Sequence, residues 1–360
     1  QPKNMPRLKG APVVPSAMCF RDVIKALAAA GEAQKAVSVL DQMTKAGHTP
    51  DASTFAAAMR ACAVRGRIDD TFSLLDRMRK AGVQPDFANA AALLLACDRR
   101  AEGVRAIEVL RSMPEMGLSP TTLTYNMVLS ANAKAGRLET VQELLAEMEE
   151  AGGAKAPDIV TVNTLLDAYK RAHRYEDVLE ILVNMETERG ISPDVVSVNT
   201  AIKACKDEDR FDIALQLYEG MPSRGLEPDS VTYTETIAAC GRAGSYDKAM
   251  EVLEAARASA VPLNTFVYNA AIGAAAACEQ SEKALELIKE MRAGAGLSPD
   301  IVTFTTVMTM CTRKEEWEAV LFLAAEAEAS GLALNKPLVN QVQRARAELL
   351  KQSGRKEASV

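Results

Sequence analysis

Apolar residues recur along the chain at a helical spacing, in short blocks separated by glycine and proline. The block formed by Ala36, Val39, Leu40 and Met43 places apolar side chains at positions i, i+3, i+4 and i+7 of one helix face. Comparable blocks follow one another over most of the 360 residues. The pattern predicts a succession of amphipathic helices, each with one apolar stripe to bury.

The residues that separate these blocks recur with a period of about 35 residues. Prolines mark the period, and they are Pro50, Pro85, Pro120, Pro157, Pro193, Pro228 and Pro299, with Pro262 displaced by one residue. An aspartate follows most of them, and its carboxylate can accept hydrogen bonds from the first free amides of a helix. Each period contains two helical patterns, so the repeating unit is a helix–turn–helix.

Nine such units fit the sequence, and a single helix follows them. The units start at about Ala17, Ala52, Phe87, Thr122, Ile159, Val195, Ser230, Thr265 and Ile301. A helix pair this short cannot bury its own apolar stripe, but stacking on neighbouring pairs can bury it. The expected fold class is therefore all-α, an α-solenoid whose first helices line the concave face.

Cysteines and methionines support this frame because they recur at fixed slots. The cysteines of the first helix are Cys62, Cys97, Cys205, Cys240 and Cys311. The methionines of the second helix are Met43, Met78, Met113, Met148, Met185, Met221 and Met291. Equivalent slots in neighbouring repeats lie about 10 Å apart, which is too far for a disulfide. No CxxC pair is present, so we expect buried thiols and no metal site.

Composition is consistent with close-packed helices. Hydrophobic residues make up 48% and aromatic residues only 4%, so the core is built from Ala, Leu, Val, Ile and Met. No apolar run approaches the roughly 20 residues that a membrane-spanning helix needs, and we expect no such span. Because the sequence begins at Gln1, any targeting segment would lie outside it.

The run IVTVNTLLDAYKRA, followed by VLEILVNMETERGISPD, closely resembles the pentatricopeptide repeat. The tetratricopeptide alternative has a period of 34 residues and a Trp, Leu-Gly and Tyr pattern that this sequence lacks. The resemblance covers roughly residues 17–335, and the uniform unit length resembles the P-type subclass. It implies a right-handed superhelical α-solenoid of about nine helix-turn-helix repeats plus a C-terminal capping helix.

The resemblance also implies a function, because that family binds single-stranded RNA with one base per repeat. Each base would be clamped between second residues of adjacent units and read by the fifth and last residues of one unit. The implied reading pairs are Asn126 with Asp158, Asn163 with Asp194, Asn199 with Asp229, Thr234 with Asn264, Asn269 with Asp300 and Thr305 with Asn335. The implied clamping residues are Leu123, Val160, Val196, Val231, Phe266 and Val302.

In the family, an Asn/Asp pair favours uridine and a Thr/Asn pair favours adenosine. Repeats 4–9 are therefore expected to read 5′-UUUAUA-3′. Repeats 1–3 depart from the pattern, with the pairs Arg21/Asp51, Ala56/Asp86 and Ala91/Thr121 and with Met18, Ser53 and Ala88 in the clamping position. Alanine has no hydrogen-bonding side chain, so we expect these repeats to read poorly and either to contact the phosphate backbone or to meet a protein.

These assignments predict five segments along the chain. They are an N-terminal tail at 1–16, degenerate repeats 1–3 at 17–121, candidate reading repeats 4–9 at 122–335, a capping helix at 336–351 and a C-terminal tail at 352–360. Insertions near Gly153, Glu188 and Gly294 are expected to alter the turns around them.

The net charge of −6 argues against a nucleic-acid ligand, since phosphate neutralisation normally needs a basic excess. Lysine and arginine nevertheless outnumber acidic residues on the first helices, whereas the second helices are acidic, as in RLETVQELLAEMEEAG. The segregation predicts a basic concave face. Candidate phosphate contacts are Lys134, Lys170, Arg171, Lys203, Arg242 and Arg313.

Two functions remain in competition at this point. The first is a sequence-selective RNA-binding adaptor in the processing, stability or translation of chloroplast or mitochondrial transcripts, working with a protein partner or a larger ribonucleoprotein. The second is a structural scaffold in a ribosome or another large organellar complex, which would grip protein or ribosomal RNA by shape.

Catalysis is not expected, and neither is a cofactor. A zinc deaminase needs an H-x-E and a C-x-x-C group to generate hydroxide from water. The only histidines are His48 and His173, and neither begins an H-x-E. About 25 residues follow Asn335, and we expect no carboxylate cluster of a nuclease domain among them.

Overall fold

The computed structural model describes residues 15–293 and 296–357, with side chains up to residue 352. Within these ranges every regular element is a helix. The chain divides into two compact units, Gln1–Ala172 and His173–Val360.

The first unit contains nine α-helices in the described ranges. They are α1 (Ala17–Ala29), α2 (Ala33–Lys45), α3 (Ala52–Val64), α4 (Ile68–Lys80), α5 (Phe87–Arg100), α6 (Gly103–Ser112), α7 (Thr122–Lys134), α8 (Leu138–Ala151) and α9 (Ile159–Arg171). The odd-numbered helices begin at the residues where the sequence places the starts of repeats 1–5.

The second unit contains ten α-helices in the described ranges. They are α10 (Tyr175–Arg189), α11 (Val195–Asp207), α12 (Phe211–Glu219), α13 (Ser230–Arg242), α14 (Tyr246–Ala258), α15 (Thr265–Ala277), α16 (Ser281–Ala293), α17 (Ile301–Arg313), α18 (Trp317–Ala329) and α19 (Lys336–Glu357). Here too, α11, α13, α15 and α17 begin at the predicted repeat starts.

Within each unit the odd-numbered helices form one continuous layer. Helices α1, α3, α5, α7 and α9 pack side by side in the first unit, as do α11, α13, α15 and α17 in the second. Apart from α10, the even-numbered helices pack on the odd-numbered helix of their own repeat and on the next one, and α10 packs on α11. We call the layer of odd-numbered helices in each unit the inner layer and the even-numbered helices the outer helices. The predicted all-α repeat solenoid is confirmed.

The Pro-Asp step begins the first helices because the aspartate caps them. The carboxylate of Asp158 accepts from the backbone N–H of Thr161 at 2.9 Å, and the Thr161 hydroxyl accepts from the backbone N–H of Asp158 at 3.0 Å. This reciprocal capping box satisfies two amides that would otherwise have no partner. The same arrangement starts α11, α13 and α17.

The two recurring sulfur slots are buried, as predicted. All five cysteines of the first-helix slot and all seven methionines of the second-helix slot lie in the core. Burial raises the pKa of the Cys97 thiol to about 12, so this thiol stays protonated and unreactive at neutral pH. Trp317, on α18, is also a core residue.

The turn inside each repeat requires a left-handed residue, and only four repeats supply glycine there. Gly31, Gly66, Gly136 and Gly244 have φ between +65° and +72°. The other five repeats use non-glycine residues with φ between 55° and 58°, and these are Ala101, His173, Asp209, Glu279 and Glu315. The stacked helices impose this conformation although it costs roughly 1–2 kcal/mol outside glycine.

Several boundaries differ from a uniform repeat. Helices α6 and α12 end early, and each continues as a 3-10 turn that starts at a proline, Pro114–Met116 and Pro222–Arg224. The insertion near Gly153 forms a further 3-10 turn, and the one near Glu188 lengthens α10 to Arg189. The insertion at Gly294 lies outside the described residues.

The capping helix α19 reaches Glu357, beyond the predicted end at residue 351. The added segment QSGRKE contains glutamine, arginine, lysine and glutamate, which favour a helix in spite of the glycine. Residues 352–357 of the predicted C-terminal tail are thus helical, while 358–360, like 1–14 of the N-terminal tail, lie outside the described residues. In the described part of the chain, no helix combines the length and apolarity that crossing a bilayer requires.

Candidate nucleic-acid interface

The second residue of each first helix projects an apolar side chain into solvent. All six predicted clamping residues are exposed, from 49% for Val231 to 71% for Phe266. The third and fourth residues of the same helices turn into the core, so the second residue lies on the open side of the inner layer. In repeats 1–3 the corresponding residues, Met18, Ser53 and Ala88, are exposed as well. The result in each unit is a row of exposed side chains, one per repeat.

Three of the predicted Asn/Asp reading pairs are in direct contact across neighbouring repeats. Nδ2 of Asn126 donates to Oδ1 of Asp158 at 2.9 Å. The corresponding distances are 3.0 Å from Asn199 to Asp229 and 3.2 Å from Asn269 to Asp300. The fourth pair is divided between the units, because Asn163 lies on α9 and Asp194 caps α11.

A hydroxyl at the third residue of the next repeat completes each contacting pair. Thr161 donates its hydroxyl to Oδ1 of Asn126 at 2.6 Å, and Thr232 does the same to Asn199 at 2.7 Å. Thr303 repeats the contact with Asn269 at 2.6 Å. Because the amide oxygen accepts from the hydroxyl, the amide nitrogen must face the carboxylate. The sequence analysis missed these residues. Their pattern was nevertheless visible, because the second letter of VTVN, VSVN, VTYT and VTFT, which is the third residue of the repeat, is always threonine or serine.

In two of the three contacting pairs the part that faces solvent is mainly the carboxylate, whereas Asn269 and Asp300 of the third pair are both half-buried. Asn126 and Asn199 are only 6% and 9% exposed, whereas Asp158 and Asp229 are exposed. Burial raises the pKa of Asp158, but hydrogen bonds from the Thr161 backbone N–H and the Asn126 side chain outweigh it, so the pKa lies below its ordinary value. The pKa values of Asp229 and Asp300 are lowered in the same way. The pair thus presents an ionised acceptor beside a buried amide donor.

The Thr/Asn pairs present different chemistry. The Thr234 hydroxyl donates to the Ser230 carbonyl at 2.7 Å, so its lone pairs remain as acceptors. Oδ1 of Asn264 caps α15 by accepting from the N–H groups of Phe266 and Val267. The NH2 group of Asn264 is therefore the part left to donate. Thr305 and Asn335 repeat both features, donating to Ile301 and accepting from Leu338.

Repeats 1–3 have no such chemistry on their inner layer. Ala56 and Ala91 replace the reading residue, and Arg21 lies 3.8 Å from Asp51 as a loose ion pair. A groove of about 750 Å³ follows this layer, and Lys25 and Arg60 are its only charged lining residues. The remaining lining is apolar or glycine, and it comprises Ala28, Ala29, Gly31, Ala56, Ala57, Val64, Ala88, Ala91, Ala92, Leu95 and Met127.

The predicted phosphate contacts are mostly engaged within the protein. Five of the six form ion pairs, which are Lys134 with Asp98 at 2.6 Å, Lys170 with Asp167, Arg171 with Asp167 at 2.6 Å, Lys203 with Glu235 at 3.8 Å and Arg242 with Asp209 at 2.8 Å. Arg313 donates to the carbonyl of Ala276 at 3.3 Å. The basic excess of the first helices is therefore partly neutralised before any ligand arrives.

The two histidines have ordinary partners. Nε2 of His48 lies 3.1 Å from the carbonyl of Pro15, and Nδ1 of His173 lies 2.8 Å from a carboxylate oxygen of Glu208. Among the residues that the structure describes, no three His, Cys, Asp or Glu side chains gather as a metal site would require.

Comparison with known families and structures adds an independent line of observation. The family model described as the pentacotripeptide-repeat region of PRORP matches residues 13–164. The PPR repeat family model matches residues 157–207, 193–242 and 263–313, and the PPR repeat model matches 231–258. Together these matches cover most of the chain. No match was found among curated proteins.

Solved structures show the same fold. The pentatricopeptide repeat protein PPR10 from maize is 26% identical, with a TM-score of 0.58 over 92% of this chain and 47% of that one. PPR10 in complex with an 18-nt psaJ RNA element is 20% identical, with a TM-score of 0.67 over 92% of this chain and 53% of that one. The chain thus spans about half the length of these structures.

Proposed function

Because the chain belongs to the pentatricopeptide repeat family, we propose that it is a sequence-selective adaptor for single-stranded RNA with one base per repeat. The observation that carries the proposal is the repeated Asn–Asp hydrogen bond between neighbouring repeats, located beside an exposed apolar residue. An apolar side chain on each side of a base offers a stacking surface that every base can use. The polar pair then offers a hydrogen-bonding pattern that only some bases can match.

The two kinds of pair are complementary to different bases. Uracil presents an N3–H donor next to the O4 acceptor, which suits an ionised carboxylate beside an amide donor, as at Asn199 and Asp229. Adenine presents an N1 acceptor next to its N6 amino donor, which suits an amide NH2 beside a hydroxyl acceptor, as at Thr234 and Asn264. With the RNA running parallel to the protein, repeats 4–9 read 5′-UUUAUA-3′.

The protein would act by occupying its RNA. A bound solenoid can block exonucleases, keep a hairpin open or recruit other factors, and none of these needs a catalytic group. PPR10 holds an 18-nt RNA element on the same fold, which supports this mode of action. The family resemblance supports work in a chloroplast or mitochondrion, with a protein partner or as part of a ribonucleoprotein.

A titration of two short single strands tests the proposal. We expect the protein to bind a UUUAUA-containing oligonucleotide at least tenfold more tightly than a scrambled one at the same salt concentration, since each matched base contributes roughly 1–3 kcal/mol. Asn163→Ala and Asn199→Ala should each weaken binding to UUUAUA. Asn184→Ala, on the outer helix α10, is the matched control and should leave the affinity unchanged.

Equal affinity for both oligonucleotides would contradict sequence-selective reading. Co-sedimentation with a large particle at high salt, together with negligible binding to free RNA, would instead support the structural scaffold.

Because the reading aspartates are ionised, we expect the preference for the matched RNA strand to be independent of pH near neutrality. The folded-state pKa values of Asp158, Asp229 and Asp300 lie below their ordinary value, so their contribution to stability is present above about pH 4 and is lost as the pH falls further. We expect the preference for UUUAUA over the scrambled strand to stay constant between pH 8 and pH 5.5. A loss of preference within that range, measured by fluorescence anisotropy, would show that these carboxylates are not the uridine acceptors.

A further inference from the structure

The inner layer of the reading repeats contains carboxylate side chains that form ion pairs with its lysine and arginine side chains. Asp167 on α9 bonds both Lys170 and Arg171, three and four residues further along the same helix. Glu235 on α13 bonds Lys206 and lies 3.8 Å from Lys203, both on the neighbouring helix α11. Each carboxylate therefore engages two cations of the layer that would carry the RNA.

Two of these four pairs, those of Lys170 and Lys206, are largely buried, whereas Arg171 and Lys203 are 48% and 46% exposed. The side chains of Glu235 and Lys206 are only 15% and 16% exposed, and that of Lys170 is 16% exposed. Burial raises the pKa of Asp167, but its hydrogen bonds with Arg171 and Lys170 outweigh burial and lower the pKa below its ordinary value. The carboxylate is therefore charged at neutral pH.

Repeats 1 and 2 provide an internal contrast. The ninth residue of their first helices is a cation, Lys25 on α1 and Arg60 on α3, whereas the ninth residue of α9 is Asp167. Neither Lys25 nor Arg60 forms an ion pair with any residue that the structure describes. Close pairing of inner-layer cations is therefore not universal, although Lys25 still attracts the Asp51 carboxylate and Lys134 of repeat 4 pairs with Asp98.

We propose that Asp167 and Glu235 are resident anions that compete with RNA phosphates for Lys170, Arg171, Lys203 and Lys206. The proposal rests on the proposed RNA-binding function and assigns these carboxylates the role of limiting its sequence-neutral part. A phosphate that approaches must displace a carboxylate, so the attraction it gains is offset by the ion pair it breaks. Contacts to the RNA phosphates then contribute little to the binding free energy, and contacts to the bases decide which RNA stays bound.

The salt dependence of RNA binding distinguishes free cations from cations that are already paired with a carboxylate. A free cation that neutralises a phosphate of single-stranded RNA adds about 0.7 to the slope of log K against log salt. A cation already neutralised by a carboxylate adds less, because the displaced carboxylate attracts counterions in turn. The intact protein should therefore show a shallower slope than its number of inner-layer cations implies.

The experiment measures binding of UUUAUA-containing and scrambled single strands between 50 and 300 mM salt. Asp167→Asn and Glu235→Gln should each tighten binding to both strands by about fivefold and should steepen the slope by about 0.7. The ratio of the two dissociation constants should stay constant, since phosphates carry no sequence information. Glu251→Gln is the matched control, because it removes the same charge from an ion pair with Lys248 on the outer helix α14.

Asp209→Asn is a further variant in which folding is not at risk. Its side chain is 75% exposed, and its φ of 56° suits asparagine, so the fold should tolerate it while Arg242 is released. It should steepen the slope in the same direction. Unchanged slopes in all three variants, or an equal change in Glu251→Gln, would overturn the proposal. Failure of the RNA-reading function would appear separately, as equal affinity of the intact protein for both strands.

Discussion

Exchanging Asn199 for threonine and Asp229 for asparagine should convert the sixth repeat from a uridine reader to an adenosine reader. We expect the double variant to bind UUUAUA about tenfold to a hundredfold more weakly than the intact protein, because one base loses its matching hydrogen bonds. Replacing the third base to give UUAAUA should restore the affinity. The measurement is a set of dissociation constants for the two strands with the two proteins.

The physical reason lies in how each pair uses its donors. In the intact protein Asn199 donates to Asp229 at 3.0 Å, and the exposed carboxylate can only accept. A threonine at position 199 can donate to the carbonyl of Val195, as Thr234 donates to Ser230 in the next repeat. An asparagine at position 229 can cap α13 with its oxygen, as Asn264 caps α15, and it then offers its NH2 group.

The reverse exchange provides the control. Thr305→Asn with Asn335→Asp should move the last base from adenosine to uridine and leave the third base unaffected. A double variant at Asn199 and Asp229 that discriminates neither UUUAUA nor UUAAUA would show that these residues support the repeat without reading it.

The sequence predicts the number and the starts of the repeats well because local interactions along the chain determine them. Most first helices start directly after a Pro-Asp step, whose aspartate caps them, so their starts can be located without reference to the rest of the fold. The family resemblance pairs Asn126 with Asp158 as readers of one base, and the structure adds that the two side chains are in contact at 2.9 Å. The repeat period alone predicts the buried positions of the recurring cysteines and methionines, and the structure confirms them.

The features that the sequence did not reveal depend on contacts between repeats. Glu235 and Lys206 lie 29 residues apart along the chain, and only the stacking of α11 against α13 brings them together. A count of charges therefore predicts a basic layer, while the structure shows most of its predicted phosphate ligands in ion pairs. The buried hydroxyl of Thr161 was likewise visible as a pattern, but its bond to Asn126 requires the next repeat to be in place.

Replacing Gly241 with alanine should strongly destabilise the second unit, although the change adds only one methyl group. A Cβ atom at this position would lie 2.7 Å from the Cα and 2.8 Å from the Cβ of Ala274, so α13 and α15 would have to move apart. Overpacking of this kind costs roughly 1–3 kcal/mol. The two helices carry Thr234 and Asn269, so the spacing of their reading positions should change as well. We expect a lower thermal midpoint together with weaker binding to UUUAUA.

Gly273 is the matched control for this change because it lies in α15, next in sequence to Ala274. A Cβ atom added there meets no atom within 4 Å, and its backbone is not in the left-handed region. Gly273→Ala should therefore stabilise the protein by about 0.5–1 kcal/mol through helix propensity alone. We expect the thermal midpoint to fall in Gly241→Ala and to rise in Gly273→Ala. That result would establish that the lack of a side chain at position 241 lets α13 and α15 approach closely and so sets their spacing. Equal shifts would contradict it.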